Sequence, residues 1–154
     1  MWATRLPRVS DERRMQLRGL HHVTAICRDL EATIGFYRDV MGLGIVQDGP
    51  SDDDPGTRHV WFGALDGAPG TLLSFMEYPQ LPTGVVGVGS THHFALVVES
   101  SEELEAWRDY LRGLEVECTD VYDRGAFRSV YLRDPDGHVI EIATRGPGFG
   151  PGPR

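Results

Sequence analysis

The sequence contains no lysine: all 15 cationic side chains are arginine. A Schiff-base lysine or a phosphate-loop lysine is therefore excluded. Cysteine is scarce, with only Cys27 and Cys118 among 154 residues. That leaves no disulfide framework and no thiolate zinc cluster, and it suits a reducing, cytoplasmic setting. No apolar run approaches the roughly 18 residues that cross a bilayer, and the stretch MWATRLPRVSDERRMQLRG lacks the apolar core of a secretory leader. Cations are outnumbered by acids, for a formal net charge of -8. The polyanion of a nucleic acid is an unfavourable partner for such a surface. Hydrophobic residues at 40% and charged residues at 25% are ordinary for a globular domain.

The chain states one pattern twice. GLHHVTAICRDLEATIGFYRDVMGLGIV and STHHFALVVESSEELEAWRDYLRGLEVE each open on a His-His pair in a short β-type run and continue into an amphipathic stretch. In the first, Asp29 is placed as an N-cap, Leu30, Ile34, Tyr37 and Met41 share one helical face, and Gly42 stops the helix. In the second, Ser100 and Glu103 form a capping box ahead of Leu104, Trp107 and Leu111, with Gly113 near the stop. Three strand-like runs follow each helix. They are GLGIVQD, TRHVWFGAL and GTLLSFMEY, then LEVECTDVY, FRSVYLRD and HVIEIAT, with Gly, Pro and Asp at the turns. The predicted fold is α+β: two βαβββ modules, over residues 18–79 and 90–145, forming a cupped mixed sheet around a cleft. Residues 80–89 form a Gly/Pro-rich linker, and 1–17 and 146–154 are tails. Neither module alone is large enough for a good core.

Alternation along a strand places His22 on one face with Thr24 and Ile26, and His93 with Ala95 and Val97. Glu141 stands between Ile140 and Ile142, where an unpaired carboxylate would cost several kcal/mol. If the modules pack by a pseudo-twofold, His22, His93 and Glu141 converge. Two imidazoles and a carboxylate on one side of an ion are the set used by non-haem Fe(II), and Mn(II) accepts the same ligands. Superposing PGTLLSFM on DGHVIEIA sets Ser74 opposite Glu141, so no fourth protein ligand is expected. On the residues alone, His59 and His138 read as structural or exposed, Arg124 as a surface cation and Tyr131 as a packed aromatic. SDDDPG reads as a solvated loop.

GLHHVTAICRDLEATIGFYRDVMGL and YLRDPDGHVIEIA resemble the vicinal oxygen chelate superfamily of glyoxalases, extradiol dioxygenases and fosfomycin-resistance enzymes. DDPGTRHVWFG, GAPGTLLSF and DRGAFRSVYLRDPDGHVIEIATRGPGF narrow the resemblance to Fe(II) dioxygenases that cleave hydroquinone-type rings. The resemblance implies a divalent ion, Fe(II) ahead of Mn(II) or Zn(II), held by His22, His93 and Glu141. It also implies a pocket for a small aromatic substrate and O2 lined by His21, His92, Thr24, Arg124 and Tyr131. Arg124 would stabilise negative charge, and Tyr131, His21 and His92 would move protons. Ring-cleaving members carry four modules, so two modules here imply a homodimer. The alternatives are a glyoxalase-like isomerase, a fosfomycin-type thiol transferase and a small-molecule-binding resistance protein without catalysis.

Overall fold

The computed structural model describes Ser10 and residues 15–152. Most of the predicted 1–17 tail lies outside them, as do the last two residues of the 146–154 tail. Eight strands and two helices follow one another as β1 (His22–Cys27), α1 (Leu30–Ile34), β2 (Gly44–Pro50), β3 (Arg58–Gly63), β4 (Leu72–Glu77), β5 (Phe94–Val98), α2 (Ser101–Gly113), β6 (Tyr122–Asp123), β7 (Arg128–Arg133) and β8 (Val139–Thr144). They make two four-stranded sheets of one design, β1-β4-β3-β2 and β5-β8-β7-β6. In each, the first strand runs parallel to the last and the other pairings are antiparallel. Residues 79–90, which include the predicted linker, contain no helix or strand.

The helix starts follow from their caps. The Asp29 carboxylate accepts from the Glu31 and Ala32 amides at 2.9 and 3.2 Å, occupying donors that the first helical turn leaves unpaired. Ser100 Oγ accepts from Glu103 N, while the Glu103 carboxylate accepts from Glu99 N rather than from the cap itself. After Ile34 the first helix widens into π-helical turns over Gly35–Val40. Met41 N donates to Phe36 O at 2.9 Å, one residue farther back than an α-helix allows. Gly42 ends it with φ of 72°, a left-handed conformation that glycine adopts without steric cost.

The predicted strand over LEVECTDVY shrinks to Tyr122–Asp123 and one bridge between Cys118 and Leu132. Part of the reason is local. Thr119 Oγ1 accepts the Tyr131 amide at 3.0 Å, so a side chain takes a bond that a ladder carbonyl would otherwise make.

The modules meet through one shared core. Leu30, Ile34, Tyr37, Phe62 and Phe75 of the first belong to the same buried cluster as Leu104, Leu111, Val130, Ile140 and Ile142 of the second. Three hydrogen bonds cross between them: Tyr37 OH to Asp134 Oδ2 at 2.9 Å, Arg28 N to Asp136 Oδ2 at 3.1 Å, and Tyr110 OH to Val40 O at 3.0 Å. Burial raises the Tyr37 hydroxyl pKa well above its ordinary value, with Asp134 adding to it. Among the described residues the sheets share no ladder, and β1 and β5 each keep a free edge. On those strands His22, Thr24 and Ile26, and Ala95 and Val97, are exposed, while Cys27 and Val98 are buried.

Candidate metal centre

Glu141 is 3% exposed, and its two oxygens are engaged differently. Oε1 accepts the Tyr131 hydroxyl proton at 2.8 Å, and Oε2 lies 3.0 Å from His93 Nε2. Register explains the convergence. Glu141 stands opposite Ala95 on β5 and opposite Tyr131 on β7, and His93 is two residues before Ala95 on the same face. Tyr131 is itself held, since Ser129 Oγ and Arg124 Nη2 each lie 3.3 Å from its hydroxyl. The Arg124 guanidinium carbon sits 5.0 Å from the Tyr122 ring centre and 5.4 Å from that of Tyr131, within cation–π range. Arg124 is exposed as the sequence suggested, but it is anchored on the site. Tyr131 is a hydrogen-bonding member of it rather than mere packing.

The His-His pairs are organised alike. His92 Nδ1 meets His93 Nδ1 at 2.8 Å, and His21 Nδ1 meets His22 Nδ1 at 3.0 Å. One nitrogen of each pair donates and the other accepts. With Nδ1 occupied, the Nε2 atoms of His22 and His93 are the ones turned to other partners, Glu141 Oε2 in the case of His93. Two cis ligands about 2.1 Å from one ion stand about 3.0 Å apart. The separation of His93 Nε2 and Glu141 Oε2 fits that requirement, and both are donor types that a divalent cation accepts.

The third predicted ligand stands elsewhere. His22 belongs to the first sheet, with the Trp61 ring 4.8 Å from its own. Thr24 Oγ1 is 2.8 Å from Ser74 Oγ. Among the described residues, no group of three His, Cys, Asp or Glu side chains is placed to hold a metal ion. One chain thus gathers His93, Glu141, Tyr131, Arg124 and His92 on one sheet, and His21, His22 and Thr24 on the other. A cleft of about 680 Å³ does lie between the modules, lined in part by Thr24, Ile26, Val85, Val86, His92 and His93. Glu141, Tyr131 and Arg124 are outside its lining.

Trp61 escaped the sequence reading. His59 and Trp61 share the face of Ser74 and Met76, and the alternation in HVWFG carried that signal. His59, read as structural or exposed, is buried, and desolvation lowers its pKa below the ordinary imidazole value. His138 is structural as expected. Its Nδ1 lies 2.7 Å from the buried Asp134 carboxylate, which raises its pKa.

With this geometry the family can be stated. Residues 19–142 match the model of the Glyoxalase/Bleomycin resistance protein/Dioxygenase superfamily, and the chain belongs to that superfamily, whose members bind divalent metals. MhqE of Bacillus subtilis strain 168, which carries a provisional ring-cleaving dioxygenase name, is 39% identical over 105 residues, spanning 67% of this chain and 34% of its own. A crystal structure titled as a provisional dioxygenase from the same bacterium superposes with a TM-score of 0.76 at 34% identity, over 83% of this chain and 41% of the other. Metallothiol transferase FosB of Staphylococcus saprophyticus is 30% identical over 133 residues, 83% of this chain and 78% of its own. The chain therefore spans about a third of MhqE's length and most of FosB's.

Proposed function

We propose that the protein is an Fe(II)-dependent dioxygenase that opens hydroquinone- or catechol-type rings. It works as a homodimer in which His22 of one copy completes the His93 and Glu141 pair of the other. The observation that carries this reading is the 3.0 Å approach of His93 Nε2 to Glu141 Oε2 beside a tyrosine and an arginine. Among the described residues His22 Nε2 has no hydrogen-bond partner, and both β1, which carries it, and β5 have an open edge. Two such edges per chain allow a closed twofold pair with two equal sites.

His22, His93 and Glu141 would hold a divalent ion, which would supply Lewis acidity toward a phenolic oxygen and a place for O2. The protein supplies the rest. Arg124 places a positive charge beside the site, where an anionic phenolate is attracted. Tyr131 donates to Glu141 and so fixes the carboxylate's orientation. Its hydroxyl oxygen accepts from Arg124, so the three groups move as one chain. His21 and His92 hold the tautomers of their neighbours, and as exposed imidazoles they can take or return a substrate proton. Thr24 extends the pocket on the side of the first module.

Protein loaded anaerobically with Fe(II) and mixed with hydroquinone or chlorohydroquinone is expected to consume oxygen and form a ring-opened chromophore. No uptake by protein of full metal content overturns the reading. The shared site has its own test. His22→Ala and Glu141→Ala are each inactive, but unfolded and refolded together they should recover about a quarter of wild-type activity, because half the dimers then hold one intact site. No recovery, with mixed dimers confirmed by mass, overturns the shared site.

The match to FosB over most of both chains favours a second reading, a thiol transferase acting on fosfomycin. The absence of lysine removes one natural partner for a phosphonate. Thiol-dependent loss of fosfomycin without oxygen uptake would select it.

A further inference from the structure

The two proposed imidazole ligands are held by different physics. His93 is steadied by polar groups, since Glu141, Tyr131, Ser129 and Arg124 form a hydrogen-bonded chain around it. The corresponding places around His22 hold no such chain. Trp61 occupies the position of Tyr131, because each stands opposite the residue at the shared central register, Ser74 in one sheet and Glu141 in the other. His59 occupies the position of Ser129, two residues earlier on the same strand face. The His22 and Trp61 rings lie 4.8 Å apart at 59°, and the Trp61 and His59 rings 4.9 Å apart at 41°.

We propose that Trp61 is a positioning residue for His22, and that buried His59 is the fixed base against which Trp61 rests. The inference depends on His22 being a metal ligand. The argument is one of rigidity. His22 is exposed, and the one hydrogen bond its ring makes among the described residues, between its Nδ1 and that of His21, is a pivot about which the imidazole can rotate. A ligand nitrogen must be aimed to within roughly half an ångström to hold its geometry. A flat indole against the ring removes that rotation without competing for Nε2. Trp61 is only half-buried, so it needs a support, and His59 at 9% exposure provides one. His59 serves by shape rather than by hydrogen bonding. Its Nε2 is buried and finds no partner among the described residues, and desolvation favours its neutral form. A charged imidazole would be a poor filler at this place, and a neutral aromatic ring is a good one.

The test measures metal affinity on the full-length protein, by competition of Co(II) against a chelator, beside Tm. Trp61→Leu is expected to weaken Co(II) binding by about tenfold or more, the usual cost of losing a group that orients a ligand, with Tm almost unmoved. Trp61→Phe should recover most of the affinity, and His59→Phe should leave it within about twofold. In a Trp2→Phe, Trp107→Phe background Trp61 is the sole indole, and open-shell Co(II) at His22 should quench its emission. Adding His22→Ala should abolish both the quenching and the tight binding. Wild-type affinity in Trp61→Leu, when His22→Ala loses binding, overturns the positioning role and leaves the ligand assignment standing. Wild-type affinity in His22→Ala overturns the ligand assignment and this inference with it.

Discussion

The two modules share a backbone design but divide the work of the site unequally. At the central register of the last strand the second module carries Glu141 and the first carries Ser74. Opposite them stand Tyr131 and Trp61. Ser74 is fully buried and bonded to Thr24, while Glu141 is nearly as buried and engages Tyr131 and His93. A doubled fold thus offers the same place twice, and one side-chain change decides which copy carries negative charge. In the proposed site the second module would contribute the carboxylate, the arginine and the tyrosine, and the first an imidazole and aromatic walls. Among the described residues, neither half of one chain gathers three side chains able to hold an ion.

The strongest way to break this contrast is to erase it. Glu141→Ser gives the second module the residue that the first already accommodates at the equivalent place. It should keep the fold and lose divalent-metal affinity by more than about a hundredfold, beyond the 10–100-fold typical of groups that only support a ligand. Metal content of the purified variant checks it, and wild-type content would mean that Glu141 is an ordinary buried carboxylate. Tyr131→Phe sharpens the contrast, since it keeps the ring and removes the hydroxyl that steadies Glu141. Metal affinity should fall about tenfold, and Tm should fall as well, because the buried Glu141 Oε1 loses its donor.

Much of this was readable before any coordinates. The repeated His-His pair, the two helix caps and the Gly- and Asp-rich turns each depend on contacts within a few residues, so they report the doubled βαβββ pattern directly. Glu141 announced itself as a charge among isoleucines. The π-helical turns were hidden, because Leu30, Ile34, Tyr37 and Met41 satisfy an ordinary helical stripe whether or not one turn widens. The reduced β6 was hidden as well, since it depends on where the Thr119 hydroxyl finds its partner. How the modules dock was the deeper gap. That is decided by Tyr37, Phe75 and Ile140 meeting across a shared core, and no local spacing encodes which faces meet. For that reason the sequence reading brings His22, His93 and Glu141 together, whereas within one chain the described residues bring together only His93 and Glu141.

The docking of unlike halves can be broken as well. Tyr37 of the first module donates to Asp134 of the second at 2.9 Å, in a buried setting. Tyr37→Phe preserves the ring and deprives the carboxylate of a donor, at a cost of about 2 kcal/mol. For a chain of this size that corresponds to a Tm lower by roughly 4–8 °C. An unchanged Tm would show that the bond between the modules contributes nothing net.

The smallest effect comes from His138 on the same carboxylate. The hydrogen bond to Asp134, 2.7 Å from His138 Nδ1, raises the imidazole's pKa above its ordinary value despite partial burial. A group whose folded pKa is raised binds its proton more tightly when folded, so it stabilises the fold fully below its unfolded value. That contribution fades as pH rises through the folded value. Urea unfolding of the wild type should therefore give a lower stability at pH 8.5 than at pH 5.5 from this source. His138→Gln, which can still donate to Asp134 but does not titrate, should flatten that part of the pH profile while costing less than Tyr37→Phe. Its side chain remains partly open to water, which weakens the ion pair relative to the fully buried tyrosine bond. Identical profiles for the wild type and His138→Gln would mean that Asp134 is satisfied by Tyr37 and the amides of Asp136 and His138 without help from the imidazole charge. The junction between the modules would then be held by neutral hydrogen-bond donors alone.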